Sequence, residues 1–147
     1  MTPRRLRGDE GAASTELVII APVFLFLILL IVQLGLYFHA INVASAAAQE
    51  GARDASLHGT DRDIALATGE ATARDLVQTL APELLAGAQV EGTLVDGGDS
   101  VRMTVSGDVS QVVTIPGIDL AISVNESAET PVEEFRPAGD VPADSTP

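Results

Sequence analysis

The sequence contains no cysteine and no lysine, and it has only one tyrosine and four phenylalanines in 147 residues. Without cysteine the chain has no disulfide, no thiolate nucleophile and no cysteine-ligated metal. The scarcity of aromatic side chains predicts a thin core for any small domain that the chain forms. Such a domain has to be held together by packing alone.

Positive charge is also scarce. Beyond residue 38 the chain carries five arginines against eighteen acidic residues, which accounts for the net charge of −13. An acidic surface repels phosphate, so we expect no nucleic acid among the partners. Arg4, Arg5 and Arg7 stand before the most apolar part of the chain, so the positive-inside rule predicts that the N-terminus is cytoplasmic and that the part C-terminal to the apolar run lies outside.

The most apolar part is residues 17–38, in which only Gln33 is strongly polar. A helix of this length, at about 1.5 Å per residue, crosses a hydrocarbon core of roughly 30 Å. We therefore expect a single-pass membrane protein, with the lipid bilayer as a partner. The predicted organisation is a basic leader (1–11), a transmembrane helix with a helical stalk (12–58, span about 17–38), an extracytoplasmic α+β domain (59–130) and a disordered acidic, proline-rich tail (131–147).

The stalk is rich in alanine and free of proline, so the helix is expected to run from about Ala13 to Ala55. Four alanines recur every four residues and form one narrow strip of small side chains: Ala40, Ala44, Ala48 and Ala52. Such a strip lets another helix approach closely, although simple alanine richness explains it equally well.

The outer domain begins with a second helix. His58 and Gly59 break the first helix, Thr60 is the expected cap, and Pro82 ends the second helix. Its predicted buried face comprises Leu66, Ala73, Val77 and Leu80.

Short strands follow. Residues 88–95 and 101–105 flank a hairpin turn at residues 96–99, residues 109–115 form a further apolar stretch, and a last strand carries Leu120, Ile122 and Val124. The fold class is therefore α+β, with a long N-terminal transmembrane and stalk helix followed by one helix on a short antiparallel sheet.

Catalytic constellations are not found. The two histidines, His39 and His58, have no serine or acidic neighbour at a spacing that suggests a triad. Asp96 and Asp99 supply too few oxygen atoms for calcium, which needs six to eight, and a hairpin turn accounts for them. We expect no enzymatic activity, no cofactor and no metal.

The N-terminal motif is more informative. Gly11, four residues before Glu16 and just before a long apolar helix, matches the processing site of type IV prepilins. The resemblance implies that a prepilin peptidase cuts after Gly11 and leaves Ala12 as the new N-terminus. Glycine suits this site because it lets the protease backbone approach closely. Glu16 then either stays hydrated, pairs with the α-amino group of a neighbouring subunit, or only favours the positive end of the helix dipole.

A longer pattern joins Glu16 to Pro22, six residues later, and to a downstream Ala-x-Glu-Gly-Ala-Arg signature at residues 48–53, with Glu50, Gly51, Ala52 and Arg53. This pattern resembles that of the TadE-like family of tight-adherence (Tad/Flp) pilus assembly proteins. Pro22 either bends the helix or is merely tolerated. The pair Glu50 and Arg53 is either a local salt bridge or a contact to another pilus component.

The resemblance implies a non-enzymatic pseudopilin or minor pilin in the bacterial cytoplasmic membrane, which assists assembly of a Tad-type pilus or related secretion apparatus. Its implied partners are other pilin and pseudopilin subunits, the assembly platform and prepilin peptidase. Leu17 stands where many processed members have an aromatic residue, and Asp9 and Glu10 reduce the basic character of the leader. Two alternatives therefore stay open: an uncleaved signal anchor, and an extracytoplasmic binding module released by signal peptidase after Ala48.

Overall fold

The computed structural model describes residues 9–58, 61–112 and 122–132, with side chains from residue 16 onward. Two helices precede three strands: α1 (Asp9–Leu57), α2 (Arg62–Leu80), β1 (Leu85–Val95), β2 (Ser100–Val109) and β3 (Ser123–Pro131). The predicted α+β class is confirmed. Residues 1–8 of the predicted leader and residues 133–147 of the predicted tail lie outside the described part of the chain.

Helix α1 contains 49 residues and runs through Pro22 without interruption. At 1.5 Å per residue its length is about 73 Å, more than twice the thickness of a hydrocarbon core. It begins at Asp9 rather than near Ala13, so the last residues of the predicted leader are helical. It ends at Leu57, close to the predicted end at Ala55, because His58 and Gly59 follow.

The two halves of α1 have different surroundings. Most side chains from Leu17 to Phe38 are exposed, although Gln33 and Tyr37 already contact the domain. Ala40 is the first fully buried residue, and from there on the helix packs closely against the domain. Small side chains make this packing possible because they allow the backbones of neighbouring elements to come close. The stalk is therefore part of the outer domain rather than a spacer below it.

Helix α2 is capped by Asp61, whose carboxylate accepts a hydrogen bond from the backbone N–H of Ile64 at 3.4 Å. The predicted cap, Thr60, lies outside the described residues. The helix ends at Leu80, ahead of Pro82 as predicted.

The buried face of α2 is made of small residues together with one valine: Ala65, Gly69, Ala73 and Val77. The prediction was right for Ala73 and Val77. Leu66 is half-buried, and Leu80 is exposed, because the face turned to α1 accepts only small side chains and Leu80 lies at the end of the helix.

The three strands form one antiparallel sheet in the order β1-β2-β3. Val95 pairs with Ser100 across the predicted hairpin turn, where Asp96, Gly97 and Gly98 all have positive φ angles. Met103 on β2 pairs with Gly92 on one side and with Ala128 on the other. Both helices contact β2, which makes it the middle of the core.

The last strand differs from its prediction. It begins at Ser123 instead of near Leu120, and it ends at Pro131, so Ile122 precedes it. Leu120 and residues 113–115 of the predicted apolar stretch lie outside the described residues. A last strand through Val124 was predicted, but its continuation to Pro131 was missed, because the inward positions after Val124 are Glu126, Ala128 and Thr130, which are only half-buried.

The core combines large side chains from β2 with alanines from α1. Met103, Val101 and Val105 are the largest fully buried side chains. Around them lie seven residues of α1 that are nearly or completely buried: Ala40, Val43, Ala44, Ala47, Ala48, Ala52 and Ala55. The predicted thin core that relies on the stalk is thus observed.

Candidate functional site along the N-terminal helix

The predicted processing residues Gly11 and Ala12 lie in the first turn of α1. The first four backbone N–H groups of a helix have no partner within the helix, so this turn unwinds at little cost. Where the structure describes side chains, from residue 16 onward, those of Glu16 to Ile28 are exposed, and Gln33 makes a hydrogen bond to the outer domain.

Glu16 is exposed and lies two turns into α1, since the helix begins at Asp9. The influence of the helix dipole falls off within the first turn. In the uncut chain the dipole therefore does little for this carboxylate. After a cut that leaves Ala12 first, Glu16 becomes the fifth residue, one helical turn from the new α-amino group.

Most of the apolar half of α1 is exposed. Among the residues that the structure describes, one helical stretch, Glu16–Leu57, is long and apolar enough to cross a membrane, and its most apolar 18-residue window is 0% buried. The helix is compatible with a single membrane span. Pro22 lies in this half and is exposed.

The alanine strip faces the chain's own domain. Ala40, Ala44, Ala48 and Ala52 are each 0% exposed and belong to the core formed with α2 and the sheet. The small side chains let elements approach closely, and the elements that do so here come from the same chain.

The downstream signature divides into two pairs. Gly51 and Ala52 are buried, whereas Glu50 and Arg53 point outward with side chains 52% and 72% exposed. The Arg53 Nη1 atom lies 3.9 Å from the Glu50 Oε2 atom. The buried pair therefore serves the fold, and the charged pair is available at the surface.

Gly51 lies where α1 and α2 cross. A Cβ atom at this position would stand 2.7 Å from the Gly69 carbonyl oxygen, 2.8 Å from the Ala73 Cβ and 3.2 Å from the Met103 Cγ. The first two distances are below 3.0 Å, which real Cβ atoms essentially never show, and the first partner is a backbone atom that cannot rotate away. Glycine at this place in the signature is thus required by the contact between the helices.

Two polar contacts to α1 were not predicted. The Thr72 hydroxyl on α2 donates to the Asp54 carboxylate at 2.6 Å, and the Val112 N–H donates to the Gln33 Oε1 atom at 2.8 Å. The sequence could have indicated a polar contact at Gln33, because it is the only strongly polar residue in the apolar run of residues 17–38. No such indication exists for the Thr72 contact, since threonines are common on exposed helix faces.

Chemically reactive groups are sparse in the described part of the chain, where no group of three histidine, aspartate or glutamate side chains is placed to hold a metal ion. His58 lies at the end of α1, with its Nδ1 atom 2.9 Å from the Asp54 carbonyl oxygen. The features that distinguish this chain are thus helical surfaces.

Comparison with known proteins identifies one family. Residues 11–53 match the family described as TadE-like protein, so the match covers less than a third of the chain and lies entirely within α1. No curated protein and no solved structure matches the chain. The match begins at the glycine of the predicted processing site and ends at the arginine of the signature. Residues 11–53 of the N-terminal helix are therefore a TadE-like sequence, and the resemblance predicted from its residues is confirmed.

Proposed function

We propose that this chain is a non-enzymatic, membrane-anchored pseudopilin or minor pilin that assists assembly of a Tad/Flp-type pilus or a related secretion apparatus. The observation that carries the proposal is the TadE-like sequence over residues 11–53, on a helix whose first half is apolar and exposed. In this proposal the chain lies in the bacterial cytoplasmic membrane, with its N-terminus inside and its outer domain outside. The arginines before the span support that orientation.

The proposed mechanism is non-covalent assembly through α1. Side chains such as Val18, Leu25 and Ile31 point outward and are covered either by lipid or by the helices of other subunits. A carboxylate in hydrocarbon is costly, so Glu16 favours an arrangement in which a positive group reaches it. In an assembled bundle that group is the α-amino group of a neighbouring subunit, exposed when prepilin peptidase cuts after Gly11.

The position of Gly11 supports such a cut. A protease binds its substrate in an extended form, and residues in a first helical turn are released most easily. Because the first turn of α1 contains Gly11 and Ala12, unwinding it leaves the span and the outer domain undisturbed.

The second hypothesis is secretion after cleavage by signal peptidase, and the composition of the hydrophobic core disfavours it. A cut after Ala48 would remove Ala40, Val43, Ala44, Ala47 and Ala48, all at most 5% exposed. Their removal would expose the apolar side chains of β2 that they cover. The released fragment would then lack the half of α1 on which the sheet packs.

N-terminal sequencing and intact mass of the protein from membranes test the proposal. A chain beginning at Ala12 supports processing as a pilin, and deletion of the prepilin-peptidase gene should then restore the leader. A chain beginning at Gln49 would show secretion instead. An intact leader in a strain that has the peptidase would leave the signal-anchor reading and contradict the pilin-type cut. Loss of the pilus on deletion of this chain tests the assembly role separately.

A further inference from the structure

The side chain of Gln33 joins the apolar half of α1 to the segment that follows β2. Its Oε1 atom accepts the Val112 N–H at 2.8 Å, and its Nε2 atom lies 3.5 Å from the Ser110 carbonyl oxygen. Because the Val112 N–H can only donate, the oxygen of the amide has to face it. The contact satisfies a polar side chain that would be costly if it were left alone in hydrocarbon.

The position of this contact along α1 fixes the height of Val112 relative to the exposed apolar surface of the helix. The exposed apolar surface continues past Gln33 to Phe38, whose side chain is 56% exposed. Five residues of helix correspond to about 7.5 Å along the axis. Val112 is therefore held about 7.5 Å below the outer end of the exposed apolar surface of α1.

The same end of the domain carries further apolar groups. The Ser110 N–H donates to the Leu84 carbonyl at 2.9 Å, and the Ser110 hydroxyl donates to the Glu83 carbonyl. These bonds bring the segment after β2 beside the turn after α2. We call this end the domain base, formed by Leu80, Glu83, Leu84, Ser110 and Val112. Leu80 and Val112 are 52% and 51% exposed, although both are large and apolar.

We propose that the domain base rests in the outer interface of the bilayer, with Leu80 and Val112 inserted shallowly among the lipid headgroups. The occupant of this apolar surface is lipid because the base is tied by Gln33 to a helix that is itself compatible with a membrane span. The inference rests on the proposed membrane anchoring and is independent of the pilus assignment.

The distribution of charge sets the limit of insertion. Asp61 and Asp63 at the start of α2 and Asp96 and Asp99 in the β1–β2 turn lie at the opposite end, where Gly98 stands beside the Arg62 guanidinium. At the base, Glu83 is exposed and has to remain hydrated. Burying its carboxylate is costly, so insertion stops at the headgroup level.

Site-specific fluorescence tests the proposal on the full chain, which has no native cysteine to remove. An environment-sensitive fluorophore is attached at Val112→Cys, at Leu80→Cys and, as a distal control, at Asp99→Cys, each in lipid nanodiscs with and without brominated lipid. We expect blue-shifted emission and bromine quenching at the first two positions and neither effect at the third. Unfolding midpoints equal to that of the parent chain establish that each variant is folded, and either base position suffices for the test.

A second arm examines Gln33. Gln33→Leu removes the amide and keeps the helix apolar, so we expect the label at Val112 to lose its quenching. Emission at both base positions as solvent-exposed as that at Asp99→Cys would overturn the proposal. Unchanged quenching at Val112 in the Gln33→Leu chain would overturn the role of Gln33. A chain that does not enter nanodiscs at all would overturn the anchoring and the insertion together, whereas loss of pilus function alone would affect neither.

Discussion

Gly51 of α1 and Gly69 of α2 cross in direct backbone contact. A Cβ atom on Gly51 would stand 2.7 Å from the Gly69 carbonyl oxygen, and a Cβ atom on Gly69 would collide with the Gly51 carbonyl oxygen. Met103 lies against both positions and fills the space below the crossing. A buried glycine of the TadE-like signature is thus a packing position of the outer domain.

Gly51→Ala should destabilise the outer domain. The added methyl group forces the helices apart, and overpacking of this kind costs about 1–3 kcal/mol. Alanine is a better helix former than glycine by about 1 kcal/mol, so a net loss of unfolding free energy can come only from the close contact between α1 and α2. Gly35→Ala is the matched control in the same helix, because a Cβ at Gly35 meets nothing within 4 Å. In chemical unfolding the midpoint of Gly51→Ala should lie below that of Gly35→Ala. Equal midpoints would contradict the close contact between the helices at Gly51.

Ala48→Leu should destabilise the domain, whereas Ala46→Leu should not. Ala48 is 0% exposed and Ala46 is exposed, although they lie two residues apart in the same alanine-rich segment. Overpacking at the buried position costs about 1–3 kcal/mol, and leucine and alanine are both good helix formers. Thermal unfolding followed by circular dichroism measures the difference. A large drop in the unfolding temperature of Ala46→Leu would mean that the side of α1 that carries Ala46 is also packed against another surface.

Thr72→Val should loosen α2 from α1. The change removes the 2.6 Å hydrogen bond to the Asp54 carboxylate, which joins the two helices, and should cost about 1 kcal/mol. Thr68→Val is the control, because the Thr68 hydroxyl donates to the Ile64 carbonyl of its own helix at 2.8 Å. A double-mutant cycle with Asp54→Ala isolates the pair. If Thr72→Val costs as much in the Asp54→Ala background, the bond does not stabilise the domain.

The charged pair of the signature should matter for assembly and not for folding. Glu50→Ala with Arg53→Ala removes an exposed pair worth only a few tenths of a kcal/mol. We expect an unchanged unfolding midpoint together with reduced pilus assembly, measured by electron microscopy of cells. Arg102→Ala is the control, since it breaks another exposed ion pair, 2.8 Å from Glu129, outside the TadE-like sequence. Normal pilus assembly by the double variant would mean that the pair forms only a local salt bridge on the helix and makes no contact needed for assembly.

The strands show where prediction from sequence stops. Val101, Met103 and Val105 alternate with polar residues, and because a strand alternates its faces this pattern located β2. In β3 only Val124 is a large apolar inward residue, so the strand is defined by its pairing with β2 and by the helix above it. The candidate site divides in the same way. Gly11, Glu16 and residues 48–53 were found from their spacing, whereas the contacts of Gln33 and Thr72 join residues distant in sequence.

By itself the sequence determined the apolar helix, its alanine-rich continuation, the α+β class and the TadE-like segment, because each depends on residues that are neighbours along one helix or strand. Only the tertiary structure decided which faces of these elements are buried and which remain exposed. It buried the alanine strip under the chain's own domain, turned Gly51 inward and Arg53 outward, and tied Val112 to Gln33. These outcomes depend on which elements meet, and burial at such contacts is a property of both partners rather than of either sequence segment.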